Sequence, residues 1–176
     1  MTALSVHIPV LETERLVLRA NRFEDFEPYA AFYQTGRAAL RGGLRDRWNA
    51  WRSFCAESGH WVIRGYGFFA VEEKATGAYV GQVGPYFPDG WPEPEIGWMV
   101  IAGFEGKGYA HEAAVAARDF AFAKLGWRTA ISVIHPQNER SQSLARRMGA
   151  RLEGTAEVLG SAAQVWRHPV PPGAPA

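Results

Sequence analysis

The chain has 176 residues, 47% of them hydrophobic, with 19 basic against 18 acidic side chains and a formal net charge of +1. That length suits one domain on one core, too long for a disulfide-stapled mini-protein and too short for two full enzyme domains. The charge balance speaks against an obligate nucleic-acid partner. The single cysteine, Cys55, excludes an internal disulfide or a cysteine zinc site, and no run approaches the 18 apolar residues of a membrane span.

Residues 1–16 lack the basic start and apolar run of a secretory leader, so a cytoplasmic protein without a metal is expected. The last eight residues hold four of the eleven prolines and read as a disordered Pro/Ala-rich tail over 169–176, behind a single domain over 1–168.

Residues 14–20 alternate Leu16 and Leu18 with charge, as a half-buried strand does. Helices are expected over 24–35, with Glu24, Asp25 and Glu27 in the first turn, and over 45–59, where Trp48, Trp51 and Cys55 form an apolar stripe. Residues 67–72 and 78–86 read as antiparallel strands joined by a turn around Lys74–Gly77. A Pro-rich loop follows, then a strand over 95–101, a Gly-rich turn over 103–108 and a helix over 109–125 with a mostly Ala face. A strand over 129–134 is apolar on both faces and so central. A helix from Glu139 ends at Gly149, and strands near 151–158 and 163–168 complete a mixed-sheet α/β arrangement.

The segment EIGWMVIAGFEGKGYAHEA, residues 95–113, runs from a buried strand through Gly103, Gly106 and Gly108 straight into a helix. A helix N-terminus offers unpaired N–H groups and partial positive charge, glycines let a ligand approach the backbone, and Lys107 adds a full charge. A pyrophosphate suits such a place. Two phosphate fingerprints fail: Lys107 is followed by Gly108 rather than Ser or Thr, and Gly106-x-Gly108 lacks its third glycine. The plain alternative is a tight turn with no ligand.

Glu105-Gly106-Lys107-Gly108-Tyr109-Ala110 resembles the (R/Q)-x-x-G-x-(G/A) acyl-CoA signature of the GNAT acetyltransferase superfamily. The words EIGWMV, GKGYAHEA, NERSQSLARRMGA and the opening TERLVLR are similar to its RimJ/RimL branch of ribosomal-protein and small-amine N-acetyltransferases. The likeness spans about residues 12–168. It implies a mixed, mostly antiparallel central sheet with flanking helices and a splayed parallel strand pair, here 95–101 and 129–134, that holds acetyl-CoA. It further implies that main-chain groups of Trp98, Met99 and Val100 pair with the pantetheine arm. Backbone N–H groups across Gly106, Lys107, Gly108, Tyr109, Ala110 and His111 would hold the pyrophosphate, and Asn138 and Ser141 would contact the cofactor. Asn138 also reads as a plain helix N-cap. Arg140, Arg146 and Arg147 are candidates for the ribose 3′-phosphate, or simply a solvated face.

Two departures stand out. Glu105 replaces Arg or Gln, and Ala145 stands where many relatives carry a tyrosine that protonates the departing thiolate. Ala150 also replaces a common Phe, a packing change. The implied reaction is direct attack of a primary amine, of a protein N-terminus or a small molecule, on the acetyl thioester. A base must take its proton. Glu95 is the candidate, with an ordinary exposed carboxylate as the alternative; His135 is a reserve, and His111 and Glu112 read as structural. The acceptor would be walled by the two early helices, the loop 85–95 and the C-terminal strands. Trp48, Trp51, Trp91 and Tyr86 are candidates for an apolar pocket, with core packing or a dimer surface the simpler reading of Trp48 and Trp51. The arginines at 37, 41, 45, 47 and 52 are clustered and mostly read as solvated helix charges, with contact to an acidic substrate or a ribosomal surface as the alternative. A homodimer is compatible with the family, and a silent acetyl-CoA binder is the competing function.

Overall fold

The computed structural model describes residues 5–173. In chain order these form β1 (Leu11–Glu12), β2 (Leu16–Arg19), α1 (Phe26–Tyr33), a 3-10 turn (Gly36–Leu40), α2 (Arg47–Arg64), β3 (Phe69–Glu73) and β4 (Tyr79–Tyr86). Then come β5 (Glu95–Val100), α3 (Tyr109–Lys124), β6 (Ile131–Ile134), α4 (Glu139–Arg147), β7 (Arg151–Val158) and β8 (Ser161–Arg167). Residues 169–173 carry no helix or strand; residues 174–176 of the expected tail and 1–4 of the N-terminal stretch lie outside the described residues. No helix among the described residues is long and apolar enough to cross a membrane.

One sheet holds all eight strands in the order β1-β2-β3-β4-β5-β6-β8-β7. Every neighbouring pair is antiparallel except β5 and β6. That parallel pair is in register only at Glu95 and Ile131; beyond it the strands part. Side chains complete the join. Ser132 Oγ on β6 donates to the Ile96 carbonyl of β5 at 2.6 Å and meets His168 Nε2 at 2.8 Å, while the Glu95 carboxylate accepts from the backbone of Val133.

Strand alternation sends neighbouring residues to opposite faces. Ala70, Tyr79 and Met99 pack with α1 and α2, whereas Phe69, Val71, Val80, Trp98 and Val100 face α3 and α4. The Ala face of α3 (Ala113, Ala114, Ala117, Ala121) is fully buried, so the helix lies close on β4 and β5.

Helix α2 corrects the expected stripe. Trp48 is 66% exposed and Cys55 is exposed; the buried face is Ala50, Phe54, Glu57 and Trp61, with His60 buried beside them. Spacings of four, three and four keep those residues on one side of a helix, but the carboxylate among them hides the pattern. The helix starts at the Asp46 cap, which accepts from Asn49 N, and runs past residue 59 to Gly65, whose φ of 76° stops it. The expected helix over 24–35 is shorter. It opens with a 3-10 turn at Phe23–Asp25, and the chain then turns through Gly36–Leu40.

Candidate active site

Where β5 and β6 diverge, two cavities open on either side of a shared wall. One, of about 580 Å³, is lined by α2, the loop after β4, the start of β5, β6 and the β7–β8 hairpin. The other, of about 1180 Å³, runs along β5, the Gly-rich turn, and the starts of α3 and α4. Leu40, Arg41, Trp98, Asn138 and Ser141 line both.

The larger cavity is a cleft built of main chain and positive charge. Gly106 and Gly108 have φ of 73° and 84°, a conformation that side-chain-bearing residues rarely adopt, and they turn the chain into α3. No side chain caps that helix, and its first intrahelical bond runs from Glu112 N to Gly108 O, so the preceding amides are left for a ligand. Arg140 and Arg147 line this cleft, but Arg146 lies over the Trp166 ring instead. Glu105 points to Arg37 at 2.6 Å and Arg140 at 2.8 Å, so two cations neutralise it beside the turn.

Lys107 does not line the cleft. Its ammonium sits 5.0 Å from the Phe104 ring centroid, over the aromatic pair Phe104–Tyr109. Tyr109 is anchored by its hydroxyl to Glu73, which leaves its main chain at the turn. Met99 is corrected as well. The Ile101 amide bonds to Val80 of β4, so by alternation the Met99 main chain also faces β4, and Trp98 and Val100 face the gap. The carbonyls of those two are already held: Arg41 Nε donates to Trp98 O at 3.0 Å and Arg37 Nη2 to Val100 O at 2.9 Å.

Asn138 fulfils the cap reading, its Oδ1 accepting from Ser141 N, while its Nδ2 reaches Leu40 O at 3.4 Å. Ser141 Oγ accepts from Trp98 Nε1 at 3.1 Å. Ala145 is fully buried among Ile134, Ala150 and Trp166, so that position brings no hydroxyl to the cleft. His111 lines the cleft with Nε2 3.4 Å from Arg147 O, and Glu112 is bonded by Thr13 and Arg15, as a structural carboxylate is.

In the smaller cavity Glu95 is buried, not exposed. Trp91 Nε1 donates to its Oε2, and burial raises its pKa to about 7 against the pull of Trp91, Arg41 and the Val133 amide. Gly97 leaves it room: a Cβ there would stand 3.1 Å from Glu95 Oε1 and 2.9 Å from the Phe68 ring. Tyr86, Trp91 and Phe68 give the cavity aromatic walls, and His135 joins them with Nδ1 accepting from Gln137 N. Trp48 and Trp51 do not line it; Trp51 packs on Phe26 and Phe54.

Sequence reasoning missed four groups. Arg41 and Arg45 line the smaller cavity, and Arg37 lines the larger; none is a solvated helix charge. Glu57 on α2 is 6% exposed, lines the smaller cavity and has one carboxylate oxygen without a hydrogen-bond partner. Burial raises its pKa, opposed by Arg41, Arg45 and Tyr29. The one available signal was the helical spacing that sets Glu57 among Ala50, Phe54 and Trp61.

Residues 15–151 match the acetyltransferase (GNAT) domain family. The chain belongs to that family. An acetyltransferase from Agrobacterium tumefaciens superposes with a TM-score of 0.86 and 37% identity, over 96% of this chain and 99% of that one. YkkB of Bacillus subtilis, an uncharacterised protein, is 33% identical over 96 residues. That match covers 52% of this chain and 56% of YkkB, so the chain spans about half the length of this relative. RimL, a ribosomal L7/L12 alpha-N-protein acetyltransferase solved with coenzyme A, shares the fold, with a TM-score of 0.72 over 92% of this chain and 98% of that one at 14% identity. Among the described residues no group of His, Cys, Asp or Glu is arranged to hold a metal.

Proposed function

We propose that this GNAT domain transfers the acetyl group of acetyl-CoA to a primary amine, of a small molecule or a protein N-terminus, by direct attack in a ternary complex. The observation that carries the reading is the shared wall: a cleft suited to a phosphorylated donor and a cavity holding a buried carboxylate meet at Arg41, Trp98, Asn138 and Ser141. The uncapped start of α3 and the amides around Gly106–His111 would take the pyrophosphate, with Arg37, Arg140 and Arg147 at hand for charge. The acceptor enters from the aromatic side. Most amines arrive protonated at neutral pH, and Glu95, poised at about 7, removes the proton directly or through water.

Buried Ala145 is the observation that favours the second reading, a member that binds acetyl-CoA and transfers nothing. A CoA thiolate leaves near neutral pH without a dedicated acid, so the missing hydroxyl does not stop the reaction. The test is free-thiol release from acetyl-CoA with a panel of amines, beside calorimetry of CoA binding. Amine-dependent thiol supports transfer; binding without it leaves the silent binder; no binding removes both.

A further inference from the structure

The mechanism above leaves Arg41 without a task. Arg41 stands in the wall common to both cavities, the point where donor and acceptor must meet. Its direct contacts are uncharged: Nε donates to Trp98 O at 3.0 Å, Nη1 to the Tyr33 hydroxyl, and the guanidinium lies 5.6 Å from the Phe68 ring centroid, while the Glu57 and Glu95 carboxylates in the same cavity act on it only through space. No protein atom among the described residues takes its Nη2. The segment that carries it is tied down on two sides, by Asn138 to Leu40 O and by Arg37 to Val100 O and Glu105. Arg41 is half-buried and makes no salt bridge among the described residues, so its free Nη2 keeps its capacity to donate to a group that is anionic or becoming anionic in the cavities.

We propose that the Arg41 guanidinium donates through Nη2 to the oxygen of the acetyl thioester and stabilises the oxyanion formed there, an inference that rests on the transfer reading above. After Glu95 has taken the ammonium proton and passed it to solvent, the amine nitrogen adds to the carbonyl carbon, the C=O π pair moves to oxygen opposite Arg41, and the second N–H proton goes to Glu95. The oxyanion then re-forms C=O, the C–S bond breaks, and CoA thiolate leaves to take a proton from solvent. Arg41 changes neither charge nor bonding; it meets the one atom whose charge rises and falls. Because it is fixed by Trp98 and Tyr33 before substrate arrives, little reorganisation accompanies the reaction.

Infrared spectra of acetyl-CoA carrying 13C at the acetyl carbonyl test this directly. On wild type the thioester band moves to lower frequency; on Arg41→Gln it returns to the solution position, and on Arg41→Lys it lies between. Turnover of Arg41→Gln falls about a hundredfold, with acetyl-CoA affinity and melting temperature near wild type and partial rescue by added guanidinium. A bound band that does not shift on wild type, or a shift that survives in Arg41→Gln, overturns the proposal. A shifted band lost in the variant, in a wild type that transfers nothing, supports Arg41 and removes the transfer reading. Failure of wild type to bind acetyl-CoA removes both.

Discussion

At the scale of single residues the chemistry turns on how burial and hydrogen bonds tune Glu95. Its carboxyl sits near 7 because desolvation outweighs the Trp91 indole, Arg41 and the Val133 amide. A base works deprotonated, so kcat/KM should rise through about pH 7 and fall away below it. Glu95→Gln should lose that acid limb and about a hundredfold or more in turnover. Trp91→Phe removes a bond to the charged form, so the limb should move to higher pH while the plateau survives, as a pH–rate profile would read. The motif made Glu95 legible as a candidate, but not its burial, since the preceding prolines read as an exposed loop. The arginines 37, 41 and 45 were illegible for the opposite reason. Positive charge in sequence reads as solvated until a fold brings carbonyls and aromatic rings to it.

At the scale of elements, the opening between β5 and β6 depends on side chains that replace a backbone ladder. Ser132 Oγ gives Ile96 O its donor just past the last paired residues. Ser132→Ala should cost about 1–2 kcal/mol by leaving that buried carbonyl unmatched, measurable by denaturant unfolding, and should weaken acetyl transfer by letting the gap relax. The turn into α3 makes a sharper contrast. Gly108→Ala forces a side chain into φ of 84°, at about 1–2 kcal/mol, and should weaken CoA binding in calorimetry far more than it affects the acceptor KM. Helix α2 shows what a sequence pattern leaves undecided. Trp48, Trp51 and Cys55 and the true buried face, Ala50, Phe54, Glu57 and Trp61, both satisfy helical spacing; only the position of α1 and the sheet decides between them.

Across the whole molecule two buried groups set opposing pH dependences. His168, bonded to Ser132, is held near 4 by burial, so between about 6.5 and 4 the unfolded chain binds the extra proton and acid destabilises the fold. Glu95 is raised from 4.5 to about 7, so across that range the folded chain binds the proton and acid stabilises the fold. Each contribution is at most about 3 kcal/mol, and they largely offset one another. Denaturant midpoints at pH 7 and pH 4.5 should therefore shift apart in the variants: relative to wild type, His168→Asn gains on acidification and Glu95→Gln loses.

The sequence alone determined the order of helices and strands from β2 to β8, the Gly-rich entry to α3, the Asn138 cap and the family word around Glu95, because these depend on local conformation and short spacing. Which faces are buried, which edge of β5 is open and which charges meet there came only with the tertiary structure. Those properties belong to segments distant along the chain, such as Arg41 and Trp98 or Ser132 and His168, and their meeting has no signature within either segment.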